Sequence, residues 1–425
     1  MGKHLRPDNM TTHNRKPHNP TVRLIEIPRR EFMLSSARAL AGAALAGPLL
    51  WLEGCSRPPR LTDRTLPRVL ADLHVHADIN HWNRHTPLGI QYPGIASLAE
   101  TTFNRSGMKW QDCYDAGVDL LCVAHFNVFD EWLSMPTDPD PETPARTIQM
   151  LDLLENELAN EVGHYAQLAT RPDQLQRLLA VPKESPEWRV AVVHTVEGAH
   201  ALGGRLDMLE PLAQRGVAMI TLTHFFNKGV ASSANAFPFF PDGNSSWPTH
   251  GLSGFGRELM AEMERLGIIV DVIHATSTAL DDILTAATRP MVASHSSVRT
   301  LADHPYGLID EHMEEIAHRD GLIGVILDPY LLSNYATLRD AEAQGTLRDV
   351  VRTIRYIVKL VGHEHVGIGT DFAGFVGPPK DMNRVSQIGR LRAMLLEEFG
   401  DEKIVTDILA NNAIKFLLQN WRPRV

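Results

Sequence analysis

From Val69 onward the chain alternates short apolar runs with amphipathic stretches, and the runs fall in a regular order. They are "VLADLHVH" (69–76), "VDLLCVAH" (118–125), "VAVVHTVEG" (190–198), "VAMITLTH" (217–224), "IIVDVIH" (268–274), "MVASHS" (291–296), "LIGVILD" (322–328) and "HVGIGTDF" (365–372). Each is rich in β-branched residues over a short apolar segment, the pattern of a strand buried on both faces in a parallel sheet. Between them the apolar positions recur at helical spacing, as in "GFGRELMAEMERLG" (254–267), where Leu259, Met260, Met263 and Leu266 share a face. Eight strand–helix repeats predict an α/β fold of the (β/α)8 TIM-barrel type over residues 67–425. The long stretches 77–117 and 126–189 read as loops with helices that cap the barrel.

The first 55 residues follow another pattern. Residues 1–30 are polar and basic and end in Arg29-Arg30, and an apolar Gly/Ala/Leu-rich stretch comes next. From Ala39 to Leu52 it is uncharged, yet it is shorter than the ~20 residues that cross a bilayer, which suits the apolar region of an export signal. Arg29-Arg30-Glu31-Phe32-Met33 resembles a twin-arginine signal. "LEGC" (52–55) resembles a lipoprotein cleavage site, although Glu53 is unusual there. Residues 1–55 are therefore read as a signal segment, and the Arg- and Pro-rich residues 56–66 as a linker. The expected location is the periplasm, either free or anchored to the membrane through a lipid on Cys55. A helical hairpin packed on the domain is the competing reading.

Composition narrows the partners. A formal charge of −10 argues against a nucleic-acid surface, which needs clustered Lys and Arg, and points to a small-molecule substrate. Cys55, Cys113 and Cys122 are too few for a disulfide framework and lack the paired spacing of a cysteine zinc site; a Cys113–Cys122 bridge stays open. The oligomeric state also stays open, with a homodimer as one option.

With 20 histidines, about one His-x-His arises by chance, so "HVH" at 74–76 has meaning only through its place in the fold. In such barrels the chemistry sits at the C-terminal ends of the strands, where the loops converge. His74 and His76 close the first run, Glu197 the third, His224 the fourth, His274 the fifth, His295 the sixth and Asp371 the eighth. "HEH" at 363–365 precedes the last run and belongs on the opposite face. His125, closing the second run, suits a hydrogen-bonded structural role better than a place in the pocket. One histidine after an apolar run is ordinarily a core residue; this many at the same end predict a metal centre. Imidazoles suit zinc, and a carboxylate can bridge two cations. His74 and His76 point the same way along a strand and can share one ion, His274 and His295 a second, with Glu197 between. Water held by such a pair ionises near neutral pH and becomes a nucleophile. Asp72, two before His74, is expected to point inward and orient a ligand.

The stretch from Val193 to Gly374 resembles the membrane (renal) dipeptidase family, metal-dependent peptidases on a (β/α)8 barrel related to the amidohydrolases. The resemblance rests on "VEGAHALG", "ITLTHFFNKGVASSA", "GLSGFGRELMAEMERLGIIVDVIHATS", "PMVASHSSVRTL" and "HVGIGTDFAG", in the family's order. It implies that Glu197 bridges two divalent ions, that His74 is the first ligand of one, and that His274 and His295 hold the other; the imidazole ligands make zinc the expected metal. It further implies that His224 binds substrate and stabilises the tetrahedral intermediate, and that Asp371 shuttles a proton. The expected function is a binuclear metal-dependent hydrolase of a dipeptide or related amide. An esterase, lactonase or phosphotriesterase-like hydrolase on the same metals, or a non-catalytic ligand-binding barrel lipoprotein, are the alternatives.

The chain departs from the family twice. After the sixth run the family carries His-x-Arg-Asn, its arginine gripping the substrate carboxylate; here "HPYGLID" puts Tyr306 and Gly307 in those places. Tyr306 becomes the candidate substrate contact, and a hydroxyl cannot form the bidentate charged pair that a guanidinium offers. Where the family carries aspartate two after its first histidine, this chain has His76, which removes one negative charge from the ligand set. Water held there is expected to ionise at lower pH than in an aspartate-bearing site. In His76→Asp the acidic limb of the pH–rate profile should therefore rise, and a limb that stays in place would overturn this reading.

Overall fold

All eight apolar runs contain strands, and they close into a ring. The computed structural model describes residues 68–77, 108–126, 131, 142–234 and 251–423. In chain order the strands are β1 (Ala71–Val75), β2 (Leu120–His125), β3 (Ala166–Leu168), β4 (Val190–Val196), β5 (Val217–Thr221), β6 (Ile269–Asp271), β7 (Val292–Ser296), β8 (Leu322–Val325) and β9 (Val366–Ile368). Every pairing is parallel, in the order β2-β1-β9-β8-β7-β6-β5-β4, and β2 pairs with β4 to complete the barrel. The alternation of strand and helix dictates this arrangement, because parallel neighbours need a crossover.

The strand outside this ring, β3, is absent from the pattern of apolar runs. It pairs with Val190–Val192 of β4, while β5 takes over on His194–Val196, its own register shifting between His194 and Thr195. With only Ala166 buried among its three residues, it is too short to carry a periodic signal. The described parts of the capping stretches also hold the helices Trp110–Ala116, Thr143–Asn160 and Pro172–Ala180. Residues 78–107, 127–130 and 132–141, and the proposed signal and linker with Cys55, lie outside the described residues.

Two apolar layers hold the ring. Between strands and helices, Val123, Val192, Ile220, Val325 and Ile368 pack with helix residues such as Leu259, Met263, Ile283 and Ile354. The second cluster is built from residues near the strand starts, among them Ala71, Leu120, Ala191, Ile269, Val292 and Leu322, together with Ala413, Ile414, Leu417 and Trp421. The helix Asn412–Asn420 thus seals the N-terminal face of the barrel and leaves the opposite face for chemistry. The helix Gly254–Leu266 forms as its spacing predicts. Ser253 caps it by accepting from Gly256 N, and it ends at Gly267 with φ 76°. A Cβ there would meet the Arg422 carbonyl, so glycine is required twice over.

His363 and His365 lie in a turn just before β9, where His365 Nδ1 bonds the Gly321 carbonyl and His363 pairs with Asp407. Their roles are structural, as their position predicts. Cys113 and Cys122 are buried free thiols, so the bridge between them does not form. Among the described residues no helix is long and apolar enough to cross a membrane.

His194, fully buried on β4, takes a hydrogen bond from the His125 ring (2.7 Å) and reaches Glu155 (3.3 Å). Burial pushes its imidazole down to about 4. The folded protein therefore binds this proton more weakly than the unfolded chain, and the contribution is complete above about pH 6.5 and lost as pH falls toward 4. His194→Gln, which keeps one donor and one acceptor, is expected to flatten the acid limb of melting temperature against pH across that window. The difference should reach roughly 3 kcal/mol at the acid end, and parallel curves for both proteins would refute it.

Candidate metal centre and active site

The site is built where the backbone leaves the sheet. His74 and His295 lie within β1 and β7, His76 and Glu197 one residue past β1 and β4, and His224, His274 and Asp371 three residues past β5, β6 and β9. The last three are therefore loop residues, although the apolar runs read continuously through them. His274 and Asp371 adopt left-handed backbone with φ 67° and 55°. Non-glycine residues rarely hold that conformation, and here it turns both side chains back over the barrel mouth.

Glu197 stands at the centre with its side chain almost wholly buried. Its Oε1 lies 3.4 Å from His74 Nε2, 3.3 Å from His274 Nε2 and 3.6 Å from both His295 Nε2 and His224 Nε2. Its Oε2 lies 3.3 Å from His76 Nε2, which is also 3.3 Å from Asp371 Oδ1. His74 and His76 face each other through Nε2 at 3.2 Å, as do His274 and His295. All seven side chains expected at the strand ends therefore converge. Donor atoms that all lie within 4.8 Å of one another join His74 and His76 with Asp371, His224 and His274 with Glu197, and His74 and His295 with Asp271. Asp271 was not foreseen in this company.

The protons reveal what the cluster can bind. His76 Nδ1 lies 3.1 Å from the Ala124 carbonyl, which only accepts, so in the neutral ring the lone pair sits on Nε2. His295 Nδ1 bonds Ser294 Oγ at 2.8 Å, and that hydroxyl donates to Asp271 Oδ2 at 2.6 Å, which again leaves Nε2 bare. Lone pairs and carboxylate oxygens thus point at one another. A tetrahedral zinc ion with ligands at about 2.0–2.1 Å separates its donor atoms by roughly 3.3–3.4 Å, close to the spacings observed. The donor set fits divalent metal in both chemistry and size.

Electrostatics agree. Burial alone would raise the Glu197 carboxyl, but His224 and His74 reverse this and hold it well below the usual range. Burial lowers His74 to about 4 and opposes charge on His76 too; there the hydrogen bonds that its ring donates to Asp371 and Glu197 win and raise it to about 10. The cluster recruits positive charge.

Asp72 does not touch a ligand ring. Its carboxylate accepts from the His74 backbone N–H (3.2 Å), the Thr370 N–H (2.8 Å) and Thr370 Oγ1 (2.6 Å), stapling β1 to the turn that carries Asp371. Asp271 plays the same part between β6 and β7, taking Ser294 N–H at 3.0 Å and Thr221 Oγ1 at 2.8 Å. Tyr306 is buried against the His274 ring and donates its hydroxyl to the His295 carbonyl. His125 bonds His194. The open cleft is lined by His76, Glu197, His224, His274, Tyr306 and Asp371, with Phe225, Ile326, Leu331 and Phe375 as apolar walls. Phe237, Phe239, Phe240 and Trp247, expected near this mouth, lie outside the described residues.

Sequence reasoning missed Asp271, Ser294 and Glu131. The first two stand beside ligands in "VDVIHATS" and "VASHS", where polar residues interrupting a buried run are a usable signal. Glu131, whose carboxylate meets His224 Nδ1 at 2.6 Å, stands in "FDEW" with nothing to mark it.

Comparison with known proteins places this architecture. The chain is 28% identical over 300 residues to the dipeptidase aclJ of Aspergillus oryzae, covering 70% of this chain and 67% of that one. The next curated relatives are matched over 48% and 59% of their lengths. Among solved structures, a metallopeptidase from Rhodobacter sphaeroides, liganded with a phosphinate mimic of L-Ala-D-Ala, superposes with TM-score 0.65 at 19% identity, over 84% of this chain and 99% of that one. The probable dipeptidase PvdM from Pseudomonas aeruginosa does so with TM-score 0.62 at 22% identity, over 74% and 88%. At these identities the structures establish the shared barrel. The sequence profile of the membrane dipeptidases matches residues 120–420, most of the chain, and the protein belongs to that family, peptidase family M19.

Proposed function

We propose that this chain is an exported, binuclear metal-dependent hydrolase that cleaves an amide bond in a small dipeptide-like substrate. The observation that carries the reading is the ring of four imidazole Nε2 atoms, of His74, His76, His274 and His295, within 3.6 Å of the Glu197 carboxylate. His74 and His76 would hold one ion, His274 and His295 a second, and Glu197 both. A set of imidazoles with one shared carboxylate suits zinc. When bound, the pair supplies an activated water and polarises the carbonyl under attack.

The remaining steps belong to the chain's own side chains. His224 Nε2 faces the Glu197 side of the cleft and donates to the carbonyl oxygen as negative charge develops on it. Asp371, the most exposed carboxylate of the cluster, accepts the proton of the attacking water and delivers it to the leaving nitrogen. One water is consumed, and an acid and an amine leave. For location, the twin-arginine-like pattern and the "LEGC" stretch support export to the periplasm with a lipid on Cys55.

The cleft favours substrates without a free carboxylate. No lysine or arginine is among the described residues that line it. The Arg299 guanidinium is spent on the carbonyls of His304 and Pro305 and the hydroxyl of Ser277, and the Tyr306 hydroxyl proton on the His295 carbonyl. Tyr306 would then meet substrate through its ring. An esterase or lactonase on the same centre is the second reading, favoured by this missing cation.

Two measurements test the proposal. Protein lacking residues 1–55 should retain about two zinc ions per chain, and in Ser294→Ala, where the His295 ring loses its acceptor, chelators should strip metal roughly 10–100-fold more readily. A chain that binds no metal would leave only a ligand-binding barrel. In a panel of free dipeptides, dipeptide amides, esters and lactones, the neutral-ended compounds should show about 10-fold or greater advantage in kcat/KM, because a buried carboxylate left unpaired is costly. Efficient turnover of free dipeptides would refute the neutral-end preference.

A further inference from the structure

Half of the described residues that line the cleft take no part in breaking the bond: Phe225, Tyr306, Ile326, Leu331 and Phe375. Their apolar surface begins at the working rings themselves. The Phe225 ring centroid lies 3.7 Å from that of His224, and Tyr306 lies 5.0 Å from His274. Phe375 continues the wall, edge-on to Phe225 at 5.5 Å. A substrate whose carbonyl reaches the cluster therefore lays its neighbouring atoms against apolar walls, where a polar side chain would lose water without gaining a partner.

The walls come from separate segments, and each is tied in place. Ile326 donates its N–H to the carbonyl of Ser296, one residue past His295, at 3.0 Å. Asp328, wholly buried, joins two others across 49 positions of chain. Its Oδ1 accepts the Tyr330 N–H at 3.0 Å and so caps the helix Pro329–Leu332 that carries Leu331. Its Oδ2 accepts the N–H of Gly377, two residues past Phe375, at 3.4 Å. The turn that presents Phe375 is also the turn of Asp371: Asp371 and Ala373 are left-handed at φ 55° and 61°, and a Cβ on Gly374 would meet Asp371 Oδ1 and the His76 ring. Wall and cluster are thus fixed by one stretch of backbone.

We propose that the cleft takes an apolar side chain flanking the scissile bond, received by Leu331 and Phe375, which Asp328 ties together as a positioning residue. This rests on the hydrolase reading above and deepens it, from a substrate with a neutral end to one that also carries an aliphatic side chain. It also gives Asp328 a reason to be buried, since both of its oxygens are spent on backbone donors from the two sides of the wall.

The test compares neutral-ended dipeptide amides that carry leucine, asparagine or glycine at each position in turn, on the full-length zinc-loaded protein. Leucine and asparagine have nearly the same shape, so their ratio in kcat/KM reads polarity alone. At one position leucine should be favoured over asparagine by about 10-fold or more, and over glycine by a similar factor. In Asp328→Asn the amide keeps its single accepting oxygen on the closer Tyr330 N–H and turns its NH2 toward Gly377, which has no acceptor to offer there. With metal content unchanged, the preference for leucine should then fall by about fivefold or more, chiefly through KM. An unchanged ratio would overturn the role of Asp328. Where that variant does not fold, Phe375→Ala reads the same wall, and a leucine preference that survives it intact overturns the proposal. The two possible failures look different. An active wild type indifferent to leucine and asparagine overturns the apolar subsite alone. A wild type that cleaves nothing in the panel overturns the hydrolase reading; calorimetry with N-acetyl-leucine amide against N-acetyl-asparagine amide then decides the subsite, which equal binding overturns as well.

Discussion

One buried carboxylate organises the molecule. Glu197 lies within reach of five imidazoles contributed by four different segments of the barrel rim. An isolated carboxylate at that depth would be protonated, since burial disfavours the charged form. It stays ionised because the imidazoles around it, His224 and His74 foremost, offset the cost of burial, and they are themselves held close only because the strands beneath them are in register. Fold and centre are therefore a single problem of convergence.

The convergence is achieved by backbone devices more than by the ligands themselves. Two aspartates, Asp72 and Asp271, each tie a strand end to its neighbour through main-chain N–H groups and a hydroxyl. Left-handed residues at His274 and Asp371 then bend the chain over the mouth. Strain of about 1–3 kcal/mol at each such position is tolerable where the surrounding sheet dictates the path. The cost is concentrated at the rim, and the two apolar layers beneath it carry the stabilising contacts.

The barrel was legible in the sequence because strands buried on both faces must be apolar on both faces, and few other arrangements produce eight such runs. The rim was legible for the same reason: a histidine or carboxylate at the end of an apolar run has left the core. What stayed hidden lacked that contrast. β3 is three residues long and mostly solvent-facing, so it has no pattern to offer. Glu131 reaches His224 from 93 positions away along the chain, a distance that no local spacing encodes. The exact ends of strands were also hidden, since Leu222 and Thr223 remain buried beyond the end of β5 at Thr221. The orientation of Asp72 was anticipated only in part: it supports His74 through the main chain, and its carboxylate accepts no hydrogen bond from that ring.

The staple between Asp72 and Thr370 joins residues 298 positions apart. During synthesis the amino-terminal half of the rim must wait, open and incomplete, until Thr370 has left the ribosome. Metal insertion is then necessarily a late event in the protein's life, and whatever cellular compartment holds the finished chain decides which cation it meets first.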